Sequence, residues 1–239
     1  MENTSENQTP EIIQEPIALQ ETTKPYNAKK LWLLCGAIVF SVLLLDQILK
    51  VWIKTNMHIG QEIHVFGNWF ILHFTENMGM AFGLELGGKY GKLFLTLFRL
   101  VAVAFGMWVL NYQISKKAHK GFVLCIALIL AGAIGNIIDS VFYGVIFSDI
   151  NHYSGGWFHG WVVDMFYFPL VEGFYPDWVP LKGGDYFIFF SPVFNLADSA
   201  ITVGVLSILI FQKRFFKKEE IITVAVEQPD SESDTAKQE

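Results

Sequence analysis

Four stretches of this chain are each long and apolar enough to cross a lipid bilayer. That requires about 20 mostly apolar residues for ~30 Å of hydrocarbon. They run from Leu31 to about Ile53, Leu93 to about Leu110, Gly121 to about Phe142 and Phe187 to Phe211. Four such runs cannot all find a soluble core within 239 residues. The expected fold is therefore an all-α membrane protein with four transmembrane helices. The charges agree. Only 17% of residues are charged, and the net −6 sits entirely in residues 1–30 (−2) and 217–239 (−4). The part between is neutral, with no basic stripe of the kind a nucleic-acid binder needs. Cys35 and Cys125 lie inside apolar runs and read as small packing residues.

Lysine and arginine near the span ends set the orientation. Lys24, Lys29 and Lys30 precede the first span. Lys116, Lys117 and Lys120 stand between the second and third. Lys213, Arg214, Lys217 and Lys218 follow the fourth. These regions share one side, so both termini are expected in the cytoplasm. The polar tails, residues 1–30 and 213–239, are expected to be disordered, leaving one membrane domain over 31–212. On the other side, Ile59 to Thr75 holds two β-type runs around Gly67-Asn68, a hairpin signal. Residues 144–186 are rich in Gly, Trp, Tyr and Phe and read as an aromatic loop at the outer interface.

The spans are interrupted by polar residues, each costing at least ~2.5 kcal/mol in hydrocarbon. Asp46, Arg99, Asp139 and Asp198 all fall in the outer half of the bilayer on this reading, roughly 5–15 Å from the outer span ends at 1.5 Å per residue. Asp46 and Lys50 are i,i+4 and suited to an intrahelical ion pair. They either neutralise each other or orient other carboxylates. Asn136 and Asp139 share a helix face, and Asn195 and Asp198 repeat that spacing. These are either interhelical polar contacts or the lining of a site. Gly132 and Gly135 permit a neighbouring helix to approach closely. Arg99 either extends to the outer interface or pairs with Asp139 or Asp46.

No serine or cysteine has a partnering histidine, since all six histidines lie outside the spans. No HExxH-type metal pair occurs, and neither a metal nor a cofactor is expected. The remaining hydrolytic chemistry is a carboxylate pair sharing a proton. Intramembrane carboxylates also serve proton-coupled transporters. The paired broken helices or repeats that transporters show are not visible in the sequence.

Five stretches carry a resemblance: LLLDQILK (43–50), FTENMGMAFG (74–83), LAGAIGNIIDS (130–140), WVVDMF (161–166) and FNLADSAI (194–201). In this order, on four spans, the chain resembles the bacterial signal peptidase II family of intramembrane aspartic proteases. The resemblance implies cleavage of diacylglyceryl-modified prolipoproteins just before the lipidated cysteine, in the bacterial inner membrane, at a site toward its outer face. It implies Asp164 and Asp198 as the catalytic pair. Asn77, Gly79, Asn136, Asp139 and Asn195 would line and order the site, with Asp46 and Lys50 as a polar pair on the first helix. Substrate and membrane lipid are the expected partners, and a monomer the expected state. Two departures stand out. Ser140 occupies a position where the family commonly has Arg, and Arg99 is the candidate replacement. The segments on either side of Asp164 are longer than the family pattern, which should alter the cover over the site. A lipoprotein-binding chaperone without activity is a further reading of the same residues.

Overall fold

The structure, a computed structural model, describes residues 26–78, 88–169, 171–189 and 192–217. Gly79 and most of both tails lie outside the described residues. The chain is mostly helical, with three long apolar helices and a small antiparallel sheet. Helix α1 (Ala28–Asn56) opens on Asn27, whose side chain accepts from the Lys30 backbone N–H. Strands β1 (Glu62–Phe66) and β2 (Phe70–Asn77) form the expected hairpin, with Gly67 at positive φ in the turn. Helix α2 (Gly88–Ser115) follows, then α3 (Lys120–Ile138). The latter continues through a π-helical segment, Asp139–Tyr143, into the short α4 (Gly144–Ile146). After it come β3 (Val162–Tyr167), β4 (Val171–Phe174), β5 (Tyr186–Phe189), β6 (Val193–Phe194), α5 (Leu196–Ile210) and α6 (Gln212–Phe215).

By length and composition, Ala28–Asn56, Tyr90–Ser115 and Lys120–Ile146 can each cross a membrane. Their outer faces carry large apolar side chains such as Leu33, Phe40, Phe98 and Phe105, as lipid contact would demand. The last apolar run differs from the sequence expectation. Its helix begins at Leu196, not Phe187, because the aromatic residues before it form β5 and β6. Aromatics favour strands, Pro192 disfavours helix at the residue before it, and Asn195 supplies the N-cap. Asp198 therefore stands in the first turn of α5 rather than deep within a span.

Helix α3 is central, with α1, α2 and α5 packed around it. Small residues set the closest approach. A Cβ on Gly132 would lie 2.1 Å from the Ala197 carbonyl oxygen of α5, and one on Gly135 would lie 2.8 Å from Asp46 Oδ2. The sequence thus removes side chains where three helices must meet. At one end, Leu31, Cys35, Leu110, Ile114 and Val123 close an apolar cluster, with Cys35 a buried free thiol. At the other, Ile53, Met57, Phe74, Tyr143, Val163 and Met165 pack the sheet against the helices. The four-stranded sheet runs β1-β2-β3-β6, and β4-β5 is a separate pair. Asp164 is thus on a strand, which the sequence reading as an aromatic loop did not anticipate. In the β2–β3 register Thr75 faces Asp164 and Asn77 faces Val162. Alternation therefore puts Asn77 and Asp164 on one face of the sheet.

Candidate active site

The polar residues of four separate elements converge on one buried cluster. Its cation is Lys50, which is 0% exposed. Lys50 Nζ donates to Asp46 Oδ2 at 2.9 Å, Asp139 Oδ2 at 2.8 Å and Asn136 Oδ1 at 2.9 Å. A lysine ammonium has three donors and no acceptor, so these three oxygens saturate it. The i,i+4 pair read from the sequence exists, and Lys50 also ties α1 to α3. Asp46 Oδ1 in turn accepts from the Ala197 backbone N–H at 2.9 Å, which anchors the start of α5. Gln47 completes the cluster. Its Nε2 donates to Asp139 Oδ1 at 3.0 Å, and its Oε1 accepts from the Tyr143 hydroxyl at 3.0 Å.

The end of α3 is locked to the approach of β3. A π-helical segment alters the usual i→i−4 ladder and often occurs at functional sites. Here Phe158 N–H donates to the Val141 carbonyl at 3.1 Å and Gly160 N–H to the Ser140 carbonyl at 2.9 Å. A Cβ on Gly160 would lie 2.1 Å from the Asp139 carbonyl oxygen, so the contact needs a glycine. Asp139 Oδ2 also accepts from the Val163 N–H at 3.3 Å. Asp164 is the next residue along β3, so its position is fixed relative to α3.

Asp164 and Asp198 are joined through two asparagines. Asn195 Nδ2 donates to Asp164 Oδ1 at 2.6 Å and lies 3.1 Å from Asn136 Oδ1. Asn136 Nδ2 donates to Asp198 Oδ1 at 2.8 Å. The second Asp164 oxygen accepts from Asn77 Nδ2 on β2. Asn195 and Asp198 also form a capping box at the start of α5: Asn195 Oδ1 accepts from the Asp198 N–H at 2.9 Å, and Asp198 Oδ2 from the Asn195 N–H at 3.4 Å. Their i,i+3 spacing is a helix start, whereas Asn136 and Asp139 mark a helix end. The two Asn-x-x-Asp segments thus meet where the end of α3 lies beside the start of α5, not as two mid-helix faces.

The two aspartates differ in surroundings. Asp164 is 2% exposed, whereas Asp198 is partly open. Burial, and after it the Asp198 charge, pushes the Asp164 carboxyl up to about 8.

Arg99 Nη1 donates to Ser140 Oγ at 3.4 Å, so it reaches the position singled out in the sequence. It also lies within electrostatic reach of Asp198, Asp139 and Asp164. Four partners escaped the sequence reading. Gln47 appears in the sequence only within the 43–50 stretch, and Lys92 in no motif. Thr96 and Tyr143 gave no signal. A second buried ion pair, Lys54–Glu76, lies one helical turn beyond Lys50. Glu76 projects from the opposite face of the sheet to Asn77.

These features define a helical membrane protein whose interior holds a carboxylate pair in a cage of asparagines. The sequence model of the signal peptidase (SPase) II family matches residues 38–214. The lipoprotein signal peptidase of Porphyromonas gingivalis (strain W83) is 51% identical over 190 residues, 75% of this chain and 82% of the relative. That of Amoebophilus asiaticus is 41% identical over 190 residues, 78% of this chain and 79% of the relative. A bacterial membrane enzyme solved by the in meso method at 2.3 Å superposes with a TM-score of 0.52 at 28% identity, covering 78% of this chain and 92% of that one. The chain belongs to the signal peptidase II family and is a membrane protease of that kind.

Proposed function

We propose that the chain is an aspartic endopeptidase that removes the signal peptide from diacylglyceryl-modified prolipoproteins, cutting before the lipidated cysteine. The observation that carries this reading is the asparagine bridge. Asn136 and Asn195 hold two carboxyl groups of unlike exposure in one network, which lets one act as acid and the other as base. Asp198, partly open and at a helix N-terminus, is the general base. It takes a proton from water as the oxygen attacks the scissile carbonyl. Asp164 keeps its proton at neutral pH and donates to the developing oxyanion. The C–N bond then breaks, and the amine leaves with the proton gathered by Asp198. Asn77, Asn136 and Asn195 order the pair. Lys50, Asp46 and Asp139 hold the scaffold beneath it, and Arg99 belongs to the wall facing substrate.

The protease unit spans residues 31–212 with four membrane crossings, between cytoplasmic segments 1–30 and 213–239. Leu196 to Gln212 supplies the fourth, at about 17 residues the short end of the range that crosses a bilayer. The enzyme acts as a monomer in the bacterial inner membrane, with the site toward the outer face. A reporter active only outside the cytoplasm should work when fused after Ser154 and be silent after Ala118. The reverse pattern would overturn the orientation.

The decisive experiment is cleavage of a diacylglyceryl-modified peptide by the purified protein in detergent. A peptidase yields product without any gradient. A proton-coupled transporter or an inactive lipoprotein chaperone leaves the peptide intact. The reaction should also weaken in alkali. A carboxyl raised to about 8 is protonated below that value and loses its proton above it, so the acid is lost as pH rises through 8. If the acid is essential, turnover should fall about tenfold per pH unit beyond the midpoint, and turnover unchanged between pH 7 and pH 10 would refute Asp164 as the donor.

A further inference from the structure

We propose that Lys92 is a positioning residue of this site: it clamps the backbone after Asn77 to the end of α3, and so keeps the Asn77 amide on Asp164. This rests on the catalytic reading above. Lys92 stands in the second turn of α2 and is 2% exposed. Its Nζ donates to the Met78 carbonyl at 2.9 Å and to Ser140 Oγ at 3.3 Å. Met78 directly follows Asn77, whose Nδ2 donates to Asp164 Oδ2. Ser140 directly follows Asp139, which accepts from Lys50 and from the Val163 N–H. One ammonium thus joins the two segments that flank Asp164 on either side.

The rest of this helix face repeats the task. Thr96, fully buried, donates to the Lys92 carbonyl at 3.0 Å and lies 3.1 Å from the Phe158 carbonyl, on the segment leading into β3. Arg99 reaches the same Ser140 hydroxyl. Positions i, i+4 and i+7 share one face of a helix, so α2 turns a polar stripe toward the site while its other faces are apolar. Packing does not account for Lys92. Among the described residues, the charged groups acting on it are Arg99, which repels it, and Asp139, which attracts it. A buried ammonium beside a guanidinium is costly, and an apolar residue would serve a purely structural helix contact better.

The test is a cycle of initial rates on a diacylglyceryl-modified peptide in detergent. It compares wild type, Lys92→Met, Lys92→Arg, Asn77→Ala and the Lys92→Met/Asn77→Ala double variant, with thermal unfolding followed in the same micelles. Misplacing a group by about 1 Å can cost roughly 100-fold in rate. Lys92→Met should therefore lose about that much in kcat while KM stays near wild type. Lys92→Arg, which keeps the donors, should recover most of the rate. If Lys92 acts through Asn77, the double variant should be no slower than Asn77→Ala alone. Losses that multiply, or a Met variant with wild-type kcat, would overturn the proposal. Should Lys92→Met fail to fold, Lys92→Gln, shorter in reach, enters the same cycle with the same two outcomes. Wild type that leaves the peptide intact overturns the catalytic reading and this one together. Wild type that cleaves while losses multiply overturns this one alone.

Discussion

Asp164→Asn and Asp198→Asn should each lower cleavage of a diacylglyceryl-modified peptide by about 100- to 10,000-fold, the range over which positioned acids and bases act. Asparagine keeps the shape of each side chain and removes only the ability to gain or lose the proton. In Asp198→Asn the base is gone, but the side-chain carbonyl can still accept from the Asn195 N–H that caps α5. The helix start should therefore survive, and membrane insertion with it. Asp198 also accepts at its other oxygen, from Asn136, but it is partly open, so water can meet a displaced donor; Asp164→Asn is harsher locally because Asp164 is buried. Asp164 accepts from both Asn195 and Asn77, one at each oxygen. An amide offers one oxygen and one NH2, so one donor would meet another donor. Some loss of stability is expected there, of order 1–3 kcal/mol for an unsatisfied buried group. Rates and unfolding temperatures measured on the same preparations separate the two effects. Wild-type turnover by either variant would remove that residue from the mechanism.

How much of this could be read beforehand follows from the range of each interaction. The apolar runs of α1, α2 and α3 were legible because a membrane span is a matter of composition over about 20 residues. The Asp46–Lys50 pair was legible because i,i+4 is local, and the β1–β2 hairpin because Gly67-Asn68 is a turn signal. The family resemblance brought Asn77, Asn136, Asp139, Asn195 and both aspartates together, and the structure brings the same residues into one network. What resisted was non-local. The third Lys50 acceptor and the Asp139 carboxylate lie on another helix, 86 and 89 positions away. Strand β3 exists because Val162–Tyr167 pairs with β2, far earlier in the chain. Met165, Phe166, Tyr167 and Phe168 are apolar or aromatic in a row, so no period of two shows there. The start of α5 was misjudged because hydropathy does not distinguish Phe-rich strand from Phe-rich helix, and Asn195 was read as a helix-face residue rather than a cap. Lys92 was hidden by its address. A lysine close to a span end ordinarily extends to the interface, and only the backbone of Met78 and the hydroxyl of Ser140 turn it inward.

Lys50→Met should be the most destabilising single change in the chain. Asp46, Lys50 and Asp139 are all 0% exposed. Methionine fills much of the same space, so the loss is electrostatic rather than a cavity. Removing one partner of a buried ion cluster costs about 3–5 kcal/mol, because it leaves charge without compensation. Against a total stability of roughly 5–15 kcal/mol that is a large share. A chain of this size shifts by about 2–4 °C per kcal/mol, so the unfolding temperature should fall by roughly 6–20 °C. The direction of rescue identifies the cause. With Lys50 gone, two carboxylates face each other across α1 and α3, and Asp139→Asn removes one of them. The Lys50→Met/Asp139→Asn double variant should therefore be more stable than Lys50→Met alone, although Asp139→Asn by itself removes an acceptor from Lys50 and should destabilise wild type. Such a reversal of sign arises only where two residues interact directly. Catalysis should fall in both Met variants, because Lys50 also holds Asn136 Oδ1 while the other end of that side chain donates to Asp198. A Lys50→Met protein that unfolds at the wild-type temperature, measured in the same micelles, would show that the cluster contributes nothing to the fold. A double variant less stable than either single one would show that the loss does not come from uncompensated charge.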